Sequence, residues 1–162
     1  MIRELIGTLL IALVFVIAWR VYRSVQSRKQ EQQLQLPAPQ QSAGGVELGD
    51  VFYASTVFAI SPLARVWAYR LGGRGKAKLF VSEHGVSIER VGEPSILIPR
   101  NDLVAITRAS ATIDKGVERD GLMVLVWRLG DQELMTNLRV ASAAKRREYE
   151  EAIENATGVR RG

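Results

Sequence analysis

One histidine and no cysteine occur in 162 residues, so imidazole chemistry has a single candidate, His84, and thiol chemistry has none. His84 sits just before Gly85 in a predicted hairpin turn, where an imidazole is exposed and poorly oriented to act as a base in a Ser-His-Asp or Cys-His arrangement. The missing cysteines exclude a disulfide framework and a Cys-based zinc or iron–sulfur site, and one histidine leaves little for a metal centre. Leu71-Gly72-Gly73-Arg74-Gly75-Lys76 superficially suggests phosphate binding. A P-loop, however, needs a glycine at the position of Arg70 and a hydroxyl at that of Ala77, and this loop precedes a strand, so it lacks a helix dipole. The glycines read instead as a turn or bulge entering the strand. Asp114-Lys115-Gly116 and Glu118-Arg119-Asp120-Gly121 alternate charge as solvated loops do, without calcium-loop spacing. No catalytic residue, cofactor, metal or small-molecule substrate is expected, and the chain does not read as an enzyme.

Charge placement is more informative. The net charge is +5, from 22 Lys and Arg against 17 Asp and Glu. Residues 51 to 82 hold Arg65, Arg70, Arg74, Lys76 and Lys78 with no acid among them, and the remaining segments cancel. A basic edge near an anionic leaflet gains about 1 kcal/mol per residue at the surface, which makes lipid headgroups one candidate partner. The plainer reading, which carries more weight, is a solvated basic edge strand that blocks edge-to-edge pairing. Nucleic acid fits poorly, because no aromatic platform or groove-reading helix accompanies the cations. Trp67, Tyr69 and Trp127 read as core or rim aromatics.

Something must hold that face in place. From Leu5 to Trp19 the chain carries no charge, and with Arg20 snorkelling outward the apolar stretch reaches Val21 and Tyr22. About 18 helical residues span roughly 27 Å, close to a bilayer core. Trp19, Arg20, Tyr22 and Arg23 have the composition of a membrane interface. A signal peptide would show a small-residue cleavage pattern, and a core helix a polar face; neither is present. Arg3 alone precedes the span, while Arg20, Arg23, Arg28 and Lys29 follow it. The positive-inside rule therefore places the N-terminus outside and the rest in the cytoplasm. Thr8 and Ala12 form a small-xxx-small pair of the kind that arises often by chance. Residues 1–23 are thus expected to be a transmembrane anchor in the plasma membrane.

Residues 24–45, rich in Gln and ending in Ser-Ala-Gly-Gly, read as a flexible linker, with the alternative of a helix continuing through Gln35 until Pro37 stops it. Residues 46–162 then read as a β domain. Phe52 to Ala59 is a first strand, stopped by Ser61-Pro62. Lys76 to Ser82 and Val86 to Arg90 form a hairpin. Ser95 to Ile98 and Leu103 to Arg108 follow, then the nearly unbroken apolar run Leu122 to Leu129, which reads as a central strand, and Gln132 to Val140. Ser142 and Gly158 bracket an amphipathic helix, 142–157, whose stripe is Tyr149, Ala152, Ile153 and Ala156. Its Arg146/Glu150 and Arg147/Glu151 pairs suggest a solvated face. Six or seven short strands closed by one C-terminal helix match a pleckstrin-homology-like (PH-like) barrel or sandwich.

Pro62-Leu63-Ala64-Arg65-Val66, the segment Leu71 to Ala77, Gly85-Val86, Ile98-Pro99, Gly121-Leu122 to Trp127 and Leu138-Arg139 together resemble actinobacterial single-pass membrane proteins with a bacterial PH-like domain. The resemblance covers nearly the whole chain apart from the linker. It implies a fold and an address, with no catalytic residue or ligand to transfer. The expected function is a membrane-anchored binding or scaffold domain that engages a protein partner or anionic lipid. The alternative is an accessory subunit of an envelope transport or export complex, since one span cannot form an alternating-access pathway alone.

Overall fold

The computed structural model describes residues 2–42, 44–109 and 121–161, and the side chains of residues 2–8, 25 and 28–30 fall outside that description. The expected loops at Asp114 and Glu118 lie outside the described residues, as does the Thr8 side chain. Helix α1 runs Ile2–Gln35 and helix α2 Ala143–Thr157. Between them come β1 (Val46–Phe58), β2 (Ser61–Arg65), β3 (Gly75–Ser82), β4 (Gly85–Arg90), β5 (Ile96–Pro99), β6 (Leu103–Ala109), β7 (Leu122–Leu129) and β8 (Gln132–Arg139).

The strands form one antiparallel sheet in the order β5-β4-β3-β1-β8-β7-β6, with β2 paired to β1. The sheet is open, since β5 and β6 lie at opposite ends of the hydrogen-bonded path, and this mainly-β antiparallel sheet with a C-terminal helix is consistent with the expected PH-like barrel or sandwich. Its hub is β1, which pairs with β3 from Val46 to Tyr53 and with β8 from Phe52 to Phe58. Register shifts between Glu47 and Gly49 and between Tyr53 and Ser55 bend the strand from one partner to the other. The main apolar core joins Leu79, Ile88 and Ile98 of one wing to Ile106, Leu125, Trp127 and Leu134 of the other, with Tyr149 and Ile153 of α2 part of it. The sheet therefore curls over its own centre. Strand β7 is buried on both faces: Leu122, Val124 and Val126 form a second small cluster opposite the main core. This double burial is why its sequence shows no alternation. The β3–β4 turn requires Gly85, at φ 142°, because a Cβ there would collide with the Ile98 carbonyl.

Helix α1 continues through Gln35 and docks on the domain. Leu36 is 3% exposed and belongs to the main core. The Gln32 Oε1 accepts from the Trp67 N–H at 2.6 Å and the Ala68 N–H at 3.2 Å, while the Tyr69 hydroxyl donates to the Leu36 carbonyl at 2.8 Å. Farther along, the Leu97 N–H donates to the Gln40 carbonyl at 2.8 Å. The segment read as a flexible linker is thus helical in its first half and fastened in its second. The apolar side chain of Leu36 and the chain-stopping Pro37 set that boundary.

In the first part of α1, Leu9 to Tyr22 expose their apolar side chains. The Arg23 guanidinium lies 4.9 Å from the Trp19 ring centre, and Gln26 donates to the Tyr22 hydroxyl. Among the described residues no helix is long and apolar enough to cross a membrane. The expected span draws on Leu5 to Thr8, whose side chains are not described, and the apolar remainder to Tyr22 covers about 21 Å of helix against roughly 30 Å of hydrocarbon. The anchor expected at residues 1–23 is accordingly not part of the observed fold.

Candidate binding face

The five predicted basic residues have unlike surroundings. Arg65 turns inward and donates through Nη1 to the Gly72 carbonyl at 3.2 Å. Arg70 pairs with Glu93 at 2.8 Å. Lys78 donates to the Glu47 carboxylate at 2.8 Å, which raises its pKa and keeps it cationic. Arg74 and Lys76 line a small recess with Tyr53, Arg90 and Glu93. Pairing with Glu93 and Glu47 offsets the cationic field that the local sequence implies, because acids distant in sequence return to this face through β1 and the β4–β5 turn.

The structure adds a residue from another strand. Phe52 lies opposite Lys76 on β3 and opposite Arg139 on β8. Directly opposed side chains share a sheet face, so Lys76, Phe52 and Arg139 form a row across the outer surface, with Phe52 39% exposed between two exposed cations. Beside the row, β8 ends and the chain leaves β1 through Val140 and Ala141. This opens a groove of about 650 Å³ lined by Asp50, Phe52, Lys76, Arg139 and Val140. An apolar floor flanked by two cations and one carboxylate is net cationic, and it suits a partner that presents an anionic group next to apolar atoms. Arg139 was missed because its place beside Lys76 depends on strand order, and no local sequence signal carries that.

Behind this face lies a buried polar chain. The Tyr53 hydroxyl donates to the Leu71 carbonyl at 2.8 Å and hydrogen-bonds Thr56, Thr56 meets Thr136 at 2.8 Å, and Trp127 Nε1 donates to Thr136 at 2.9 Å. Arg90 stacks 5.0 Å from the Tyr53 ring centre and donates to the Arg70 carbonyl at 2.7 Å and the Pro94 carbonyl at 3.0 Å. Desolvation lowers the Arg90 pKa, and the carbonyls around the guanidinium satisfy its donors. The backbone of the Arg70–Arg74 loop is therefore fixed from below. This fixing accompanies positive φ at Tyr69 (50°) and Arg70 (59°), a conformation costly for non-glycine residues.

His84 is exposed in the two-residue β3–β4 turn, with its Nε2 3.8 Å from the Glu83 carboxylate. Among the described residues no group of three or more His, Asp or Glu could hold a metal ion. The helix pairs depart from expectation. Glu150 is 1% exposed, held by Arg108 of β6 at 2.6 and 3.0 Å with Arg146 at 3.8 Å, so this stretch of α2 is an internal ion cluster and not a solvated face. Glu151 pairs with Arg161 at 3.7 Å.

No curated protein matches the chain. A family model described as Bacterial PH domain-like matches residues 33–156, from the last turn of α1 nearly to the end of α2. A PH-like domain suggests a binding or scaffold role, and the bent β1 hub, open sheet and C-terminal helix fit that fold. The chain belongs to the bacterial PH-like domain family.

Proposed function

We propose that this chain is a membrane-anchored binding module in which α1 holds the PH-like domain at the cytoplasmic face of the plasma membrane. The carrying observation is the continuity of α1, which leads from the apolar run at its start to Leu36 in the domain core. On this reading Trp19, Arg20, Tyr22 and Arg23 lie among the headgroups, and α1 is a rigid stalk. Ten residues separate Tyr22 from Gln32, so the Trp67–Arg70 loop is fastened about 15 Å beyond the end of the span. That is about one and a half to two Debye lengths, so attraction to the leaflet is strongest at low salt, and Arg74, Lys76 and Arg139 form the attractive face. The positive-inside bias supports this orientation.

Two measurements test the reading. Ile2→Cys and Gln41→Cys variants of the cysteine-free full chain are labelled with an impermeant thiol reagent in intact cells. The Ile2 position is expected to react from outside and the Gln41 position only after lysis; the reverse pattern overturns the topology. The full chain in nanodiscs with and without anionic lipid is then compared by hydrogen exchange. Anionic lipid is expected to protect the residues around Lys76 and Arg139 at low salt, and this protection is expected to vanish at high salt or in the Lys76→Glu/Arg139→Glu variant. Protection indifferent to lipid charge removes the lipid and leaves a membrane-protein partner for this face.

A further inference from the structure

Both ends of an open sheet carry unpaired backbone that proteins usually cover. Here the chain covers each with its own flank. At β5 the cover is Gln40, bridged to Leu97, with the Ser42 N–H donating to the Ser95 hydroxyl. At β6 it is the segment after α2: Arg161 makes a parallel bridge to Ile106, and Val159 packs against the main core. The two covers differ in strength. The β5 cover lies between two fixed points, Leu36 in the core and the first pairs of β1. Among the described residues, the β6 cover rests on one bridge, the Val159 contact and two ion pairs, from Arg161 Nε to Glu154 at 3.0 Å and Nη1 to Glu151 at 3.7 Å. Helix α2 does not depend on it, because Gly158, at φ 73°, closes the helix through its own N–H to the Glu154 carbonyl.

We propose that the outer edge of β6, together with Glu151 and Glu154 on α2, is a docking site for an extended segment of a partner protein, and that residues Val159–Arg161 occupy it until displaced. The occupant defines the chemistry that fits. An aliphatic side chain fills the Val159 contact, and two positions later an arginine presents Nε and Nη1 to the two carboxylates, a two-point geometry that lysine cannot reproduce. Backbone pairing along β6 supplies the remaining affinity and sets a parallel direction. The partner is thus a strand with an aliphatic-x-Arg pattern, and the site is independent of membrane attachment. Because the resident segment competes intramolecularly, at an effective concentration set by its short connection, the intact chain binds such a strand weakly.

The test uses the full chain in detergent micelles and a fluorescent peptide Thr-Gly-Val-Arg-Arg-Gly, read by anisotropy. Deletion of residues 159 to 162 is expected to tighten binding by about tenfold or more over the intact chain. Arg161→Glu, which drives the segment from Glu151 and Glu154 while keeping the chain length, is expected to do the same, so a folding defect in the deletion does not hide the result. Adding Glu151→Lys and Glu154→Lys to the deletion should abolish the gain, and a peptide with its second arginine replaced by glutamate should recover it. Equal affinity for the intact and displaced chains overturns the proposal, as does binding that ignores the charge of residues 151 and 154.

Discussion

Replacing Glu150 with alanine is expected to cost the domain about 3 kcal/mol or more, one of the two largest effects argued for any single side chain here, since breaking a buried ion pair by removing one partner costs roughly 3–5 kcal/mol. The carboxylate is 1% exposed and takes a two-point fork from Arg108 while facing Arg146, whose side chain is 12% exposed. Without it, Arg146 is left with a buried guanidinium, and its Nε already lacks a hydrogen-bond partner. Arg108 is 42% exposed and can turn to water, which places the loss at the lower end of the range. Glu150→Gln keeps the shape and loses the charge, so about half the cost is expected. Replacing both Arg146 and Glu150 by methionine removes the uncompensated buried charge along with its partner, while Arg108 turns to water, and should recover most of the stability. Denaturant unfolding of the three variants checks this, and a loss below about 1 kcal/mol for Glu150→Ala would mean the cluster is solvated in solution.

That cluster shows where sequence stops being informative. An Arg four residues before a Glu on an amphipathic helix looks like an exposed pair, and only the arrival of Arg108 from β6, 42 positions away, makes it internal. Hairpin β3–β4 is legible because Ala77, Leu79 and Val81 alternate with Lys76, Lys78 and Phe80 around a glycine turn. Strand β7 is legible because both its faces are buried and its sequence is apolar throughout. The first half of β1 is not: the first strand is expected only from Phe52, because Glu47, Gly49 and Asp50 are poor strand formers, and their extended conformation rests on pairing with β3. Strand β2 hides behind Pro62, which an edge strand tolerates because the N–H that proline lacks is not needed on the open side of the sheet. For the face itself, Lys76 was visible from local charge. Its neighbour Arg139 lies 63 positions away and is brought there by β1, which pairs with both β3 and β8.

The second large effect is alkaline. Burial pushes the Tyr53 phenol up to about 12, against the opposing influence of its Thr56 hydrogen bond and Arg90. In the unfolded chain the same phenol ionises near its ordinary 10. Between those values the unfolded state releases a proton that the folded state keeps, so stability is whole below pH 10 and falls as pH rises toward 12. The loss is at most about 1.4 kcal/mol per pH unit and about 3 kcal/mol across the window. Tyr149, raised chiefly by burial, adds to the decline in the same direction, so the comparison that isolates Tyr53 is Tyr53→Phe. That variant should be less stable at neutral pH by about 1–3 kcal/mol, for the lost bonds to Leu71 and Thr56, yet decline less steeply above pH 10. Parallel slopes for the two proteins would mean that the phenol is not sealed from water. The consequence reaches the binding face, because the Tyr53 hydroxyl holds the Leu71 carbonyl and Arg90 holds that of Arg70. These bonds fix the left-handed backbone at Tyr69 and Arg70, and Tyr69 in turn fastens the end of α1. Hydrogen exchange in the Trp67–Arg74 loop should therefore rise in Tyr53→Phe even at neutral pH, and the stalk should loosen with it.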